Sequence, residues 1–217
     1  SAGDVTFKAS ASQLNGAINA TSTTITVDNT TGFPTSGKIL IGSEVIAYSA
    51  ISSNTFTGCA RGQSYLVSGV NTSTTAAAHN DNATVNCFTL VVTDAAHGAK
   101  ANDFVTFTDA ASLGGNITAA MLNQEYQIVN VETDSKYTVL AKSFNSDTIT
   151  DANYTNIAAS SSDSGNGGSA VVGSYQINTG ASSANPRVGW GASGWGSGAW
   201  GEGIEDTESL RIWTQQN

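Results

Sequence analysis

The stretch GKILIGSEVIAYSAISSNTFTGCARG, Gly37 to Gly62, decides how this chain is read. KILI and EVIAY carry β-branched and apolar residues on alternate positions, and only Gly42 and Ser43 lie between them. Two such runs around a two-residue, glycine-containing break predict a β-hairpin. SSNT before TFTG repeats the pattern. Gly37, Gly42, Gly58 and Gly62 fall where tight turns need positive φ or close backbone approach. A phosphate-binding loop is the sharper alternative for these glycines, but no Lys-Ser/Thr follows and no long helix starts there.

The same punctuation extends outward. TTITV (Thr23 to Val27), DFVTF (Asp103 to Phe107), EYQIVNV (Glu125 to Val131) and KYTVLA (Lys136 to Ala141) alternate in the same way, and TSGK and TDSK break them. NITAAMLNQ, Asn116 to Gln124, is the helix candidate, one or two turns long. The expected fold is all-β: tandem small β-sandwich or barrel-like modules with a Gly/Trp-rich C-terminal segment. The first module spans 1–87. The second spans 88–173 and includes a Ser/Asn/Gly-rich loop or linker from 143 onward, and 174–217 holds the Gly/Trp-rich segment and a terminal strand. The boundary is set near Cys87 to Thr89, where the alternation restarts after the polar run TTAAAHNDNATV.

Charge and composition exclude several function classes. The 39% hydrophobic content over 217 residues suffices for packed cores, while charged residues are only 12%, about half the roughly 25% of an average soluble protein. The surface is therefore built largely from Thr, Ser, Asn, Gln and Gly. With 17 acids against 8 bases, a net charge of −9 and no cluster of Lys or Arg, nucleic-acid binding lacks its main driving term. No apolar run approaches the roughly 20 residues of a membrane span, and SAGDVTFKAS does not read as a signal peptide. The expectation is a soluble mature chain with no membrane partner.

Catalytic and cofactor constellations are not evident either. Cys59 and Cys87 read as buried thiols, with no histidines at zinc spacing beside them. His79 and His97 lie in separate modules, and neither has a Cys, His, Asp or Glu at i+2 to i+4 on an evident shared face. Both read as structural or solvent-facing, with His97-Gly98 as a turn before DFVTF. Glu44 and Glu125 stand at strand starts, and Asp94, Asp103 and Asp134 in turns where Asp bonds local backbone, placements that do not favour a glycosidase pair. No G-x-S-x-G elbow occurs. The N-x-S/T triplets at Asn19, Asn29, Asn71, Asn82, Asn116 and Asn153 matter only in a eukaryotic secretory route. No catalytic residue, metal ligand or cofactor is expected, and the chain reads as a non-enzyme.

GKILIGSEVIAYSAISSNTFTGCARG followed by TTAAAHNDNATV resembles a small β-module of bacteriophage tail and other virion proteins, with its G-x-ILIG-x-E-x-I-x-Y, TGC-x-RG and T-AAAH-x-x-x-ATV elements. DAAHGAKANDFVTF, LNQEYQIVNV and KYTVLA resemble a second phage structural module. VVGSYQINTG, the GW repeats and SLRIW are similar to the opening of large β-structured tail or neck proteins of marine phages. QSYLVSGVNTS, between Gly62 and Thr74, lengthens the usual short connection. The resemblance covers most of the chain. It implies a virion protein of tail, neck or capsid-associated position, docking to other virion proteins and to copies of itself.

GWGASGWGSGAWGEG, Gly189 to Gly203, spaces Trp190, Trp195 and Trp200 evenly by five. Exposed together, three such rings are an aggregation hazard. Flanking glycines fit rings inserted into a neighbouring sheet or subunit, and the same spacing also suits stacking on a sugar, or a loose tether. Leu210, Ile212 and Trp213 read as a terminal strand that must pair with something. In the phage proteins that this segment resembles, such a strand leads into a larger domain, so the chain is expected to continue into one or to be completed by a neighbour. Trp190, Trp195, Trp200 and Trp213 form the candidate interface. Protein–protein docking is the first reading, and a receptor- or carbohydrate-binding module with a host glycan as partner is the alternative.

Overall fold

The computed structural model describes residues 5–144, 153–181 and 209–214. Hydrophobic alternation broken by turn formers yields sixteen strands and one helical turn among them. In chain order they are β1 (Thr6–Lys8), β2 (Ala11–Gln13), β3 (Ile25–Thr26), β4 (Gly37–Ile41), β5 (Glu44–Tyr48), β6 (Ala50–Ser52), β7 (Thr55–Thr57), β8 (Ala60–Val67) and β9 (Val70–Ser73). There follow β10 (Thr84–Cys87), β11 (Thr89–Thr93), β12 (Phe104–Thr108), α1 (Ala119–Leu122), β13 (Glu125–Thr133), β14 (Lys136–Leu140), β15 (Val172–Ala181) and β16 (Ser209–Thr214). The fold is all-β, and the strands form three antiparallel sheets.

The six-stranded sheet has the order β2-β10-β4-β5-β8-β9, and a three-stranded sheet has the order β3-β7-β6. The hairpin expected around Gly42 and Ser43 is β4–β5, registered Ile41↔Glu44. Alternation aims Ile39, Ile41, Ile46, Tyr48 and Val85 of the larger sheet at Ile25 and Phe56 of the smaller one, and these side chains form one buried core. Cys59 and Cys87 are free thiols in this core. Burial pushes Cys59 up to about 11, against the nearby Arg61 charge, and Cys87 up to about 12, against hydrogen bonds from Thr89 and Tyr48.

Sheet membership changes at Phe88. β10 belongs to the six-stranded sheet, while β11 joins the seven-stranded sheet β1-β11-β14-β13-β12-β15-β16. The N-terminal β1 is also in this second sheet, paired Phe7↔Val92. Phe7 meets Phe107 edge to face at 4.8 Å inside a core closed by Leu113, Ile117, Leu122, Ala159 and Val171. α1 is the short helix expected in Asn116 to Gln124, N-capped by the Thr118 side chain, which accepts from the Met121 amide.

The polar stretch 153–171 carries no named strand but is bonded to both sheets. Asn156 N donates to Leu66 O at 2.9 Å and Ala159 N to Cys87 O at 2.8 Å in the six-stranded sheet, and Asn166 O accepts from Phe7 N of β1 at 3.0 Å in the seven-stranded sheet. QSYLVSGVNTS forms most of the β8–β9 hairpin, with Ser68 and Gly69 at positive φ in its turn. That hairpin leans on the 153–171 stretch: Leu66 N donates to Asn156 Oδ1 at 2.9 Å and Ser68 N to Thr155 Oγ1 at 3.0 Å. Behind it Val45, Phe88 and Ala158 form a small core between the sheets, with Tyr65 and Phe88 rings 5.6 Å apart.

Candidate functional site

The motif residues of the first module converge on one carboxylate. Glu44 opens β5 and is 1% exposed. Its Oε1 accepts from Arg61 Nε at 2.8 Å and Gly62 N at 3.0 Å. Its Oε2 accepts from Arg61 Nη2 at 2.7 Å, Ala77 N at 3.1 Å and His79 Nε2 at 2.7 Å. Arg61 also donates to Ala77 O at 2.7 Å and to Asn19 O, which ties the 19–22 turn to the cluster. Gly62 has φ +60, and a Cβ there would lie 3.1 Å from both Ala76 N and Thr74 O, so glycine is what lets its amide face Glu44. Burial alone pushes the Glu44 carboxyl up, but the hydrogen bonds from Arg61, His79, Ala77 and Gly62 outweigh it and hold it down at about 2, from an ordinary 4.5. With five donors on two oxygens, this carboxylate fastens the β4–β5 hairpin, the start of β8 and the 77–79 segment together.

Asp163 plays the same part without a cation. Its Oδ1 accepts from Gly115 N and Ile117 N, both at 2.9 Å, and its Oδ2 from Asn116 N at 3.0 Å, Ser160 N at 2.8 Å and Ser160 Oγ at 3.0 Å. Burial raises this carboxyl, and the bonds from Ser160, Ile117 and Asn116 bring it below its ordinary value. A third buried group links β11, β14 and β15. Tyr175 donates its hydroxyl proton to Asp94 Oδ2, so Tyr137 is the donor in the 3.0 Å contact between the two tyrosine hydroxyls. Desolvation raises both phenols. His97 lies edge-on to Tyr137 at 4.9 Å. Its Nδ1 accepts from Ala99 N, which leaves Nε2 to donate to Thr133 O at 3.1 Å.

His79, which reads from the sequence as structural or solvent-facing because no Cys, His, Asp or Glu lies at i+2 to i+4 on an evident shared face, is structural. Its partner is 35 residues upstream. The signal was present in the juxtaposition of the ILIG-x-E, C-x-RG and AAAH stretches, which only folding joins. Asp94 was expected to bond local backbone, yet its bond to Tyr175 spans 81 residues. Asp103 does both, accepting from Lys100 N at 2.8 Å and from Asn178 N at 2.9 Å. Asp163 sits in the low-complexity run SSSDSGNGGS, where nothing local in the sequence sets it apart. Among the described residues no group of three or more His, Cys, Asp or Glu is placed to hold a metal ion.

Of the candidate interface residues, Trp190, Trp195 and Trp200 lie outside the described residues. Trp213 belongs to β16, in register with Gln176 of β15, which is in turn opposite Phe104 of β12. That backbone position is on the edge strand of the seven-stranded sheet. The opposite end of the molecule's strand inventory offers another edge, β9, exposed along its whole length with Val70 65% accessible at its start. No family model, no curated protein and no solved structure matches the chain.

Proposed function

We propose that this chain is a non-enzymatic structural component of a phage virion, of the tail, the neck or a capsid-associated layer, acting by protein–protein docking in multiple copies. The observation that carries the reading is the use made of the motif residues. Glu44, Arg61, Gly62 and His79, the polar and glycine landmarks of the stretch that resembles phage modules, spend their hydrogen-bonding capacity on one another inside the fold. A carboxylate with five internal donors has no lone pair to offer a substrate, and the same holds for Asp163. Chemistry of this kind suits a rigid building block. Docking is assigned to the Gly/Trp segment with Trp190, Trp195 and Trp200 and to the β16 edge with Trp213, where large rings gain most from burial against a neighbour.

Peptides of this chain are expected in purified virus particles by mass spectrometry, and the isolated protein is expected to self-associate. Tryptophan emission should become less accessible to acrylamide on assembly. Emission that is fully quenchable and unchanged on assembly defeats the docking assignment. The second reading, a receptor- or carbohydrate-binding module, is favoured by the even Trp spacing alone, and specific retention on a glycan array would select it.

A further inference from the structure

Asn15 and Asn166 are the two asparagines of this chain followed by glycine, the pairing in which a backbone amide most easily attacks the preceding side chain. Their surroundings differ. Asn166 is clamped: its carbonyl oxygen accepts from Phe7 N at 3.0 Å, its Oδ1 accepts from Gly168 N at 3.1 Å, and a Cβ on Gly167 would lie 2.6 Å from the Phe7 ring. Asn15 is exposed, and its side-chain amide makes no hydrogen bond among the described residues. Gly16 has φ +97 and open space around it, and its amide donates to Asp81 Oδ1 at 2.7 Å. The other oxygen of Asp81 is held by the Asn82 amide at 3.0 Å, which fixes the carboxylate in place.

We propose that Asn15-Gly16 is a self-modification site in which Asp81 serves as the base. Asp81 takes the proton from Gly16 N as that nitrogen bonds to Asn15 Cγ, and the proton is passed to the departing side-chain nitrogen, which leaves as ammonia. Water then opens the resulting five-membered imide at either carbonyl, giving aspartate or isoaspartate at position 15. The product matters because this turn lies inside a ladder. Leu14 N donates to Ala83 O at 2.9 Å, and Ile18 and His79 exchange backbone bonds at 2.9 and 3.0 Å. Isoaspartate inserts one more carbon into the backbone between those two anchors, which shifts His79 relative to Glu44. Ageing at this site therefore loosens the buried cluster of the first module.

The test follows conversion at both asparagines by peptide mass spectrometry, with isoaspartyl methyltransferase labelling, in the full chain held in warm neutral buffer. Asn15 is expected to convert on the order of tenfold faster than Asn166 in the native protein, at or below the low end of what a positioned base contributes, and the two rates should converge in denaturant. Asp81→Asn, which keeps an acceptor for Gly16 N but is no base, should slow Asn15 by about tenfold and leave Asn166 unchanged. Asp81→Ala should do the same, with melting curves reporting that the fold persists. A native Asn15 rate no higher than that of Asn166, or an Asn15 rate that is unchanged or raised in Asp81→Asn, overturns the proposal.

Discussion

The Glu44 and Asp163 clusters solve one problem in two ways. Each buries a carboxylate to within 3% of full exclusion from solvent, and each gives it five donors. Glu44 adds to two backbone amides a guanidinium and an imidazole contributed by distant strands and segments. Asp163 takes its stabilisation from four backbone amides and one hydroxyl, with no cation among these donors. A charge-to-charge fastener depends on single side chains that mutation can delete. An amide nest depends on a loop path, which is vulnerable only at the carboxylate or at the glycine that admits it.

Acid should remove both fasteners and gives the largest effect. A carboxyl held below its ordinary value contributes stability that is complete above that value and is lost as pH falls towards the folded-state one. For Glu44 that window runs from 4.5 down to about 2, and Asp163 shifts in the same direction. Urea midpoints should therefore fall steeply across this range, and a midpoint indifferent to pH there breaks the comparison.

Arg61→Ala comes next. It removes the four hydrogen bonds that the Arg61 side chain donates to Glu44, Ala77 O and Asn19 O and leaves Glu44 buried, so about 3–5 kcal/mol of stability should be lost in urea titration. Asp163→Asn places an amide group among donors and should cost about 2 kcal/mol, through amides left without an acceptor. If Arg61→Ala proves the milder of the two, cation pairing is not what distinguishes the clusters. Gly62→Ala should cost about 1–2 kcal/mol, since alanine is strained at φ +60 and meets backbone atoms at 3.1 Å.

The smallest effect is a change of labelling rate. Native Cys59 and Cys87 should react slowly with alkylating reagents, because both are buried and both thiols are raised. Arg61→Ala should speed Cys59, two residues away, more than Cys87. Equal acceleration would mean that the first module opens as a whole instead of locally.

Much of the fold was legible in the chain. EVIAY is β5 to the residue, DFVTF and EYQIVNV fall within a residue or two of β12 and β13, and Gly42-Ser43 is the β4–β5 turn. TTITV narrows to Ile25–Thr26, the pair in register with Phe56 and Thr55 of β7, while Val27 bridges to Leu14 instead. The stretch from 143 onward reads as loop or linker by composition, and its described residues between 156 and 167 form a loop bonded to both sheets. Ser, Asn and Gly are as suited to a strap that packs closely against neighbours as to a solvated tether, and nothing local separates the two. The candidate Trp interface was legible only as a spacing, and three of its four residues lie outside the described ones.

By itself the sequence determined the all-β class, the turns and the alternating core faces, because each depends on residues within a strand or two of one another. Only the tertiary structure decided that Glu44, Arg61 and His79 share one site, that Asp163 anchors the 115–117 loop, and that β1 crosses into the seven-stranded sheet. The physical reason is the range of the interaction. A turn or a pleat is settled by local sterics, whereas a buried charge is settled by whichever donors the folded chain brings within hydrogen-bonding distance, and those donors come from 3 to 81 residues away.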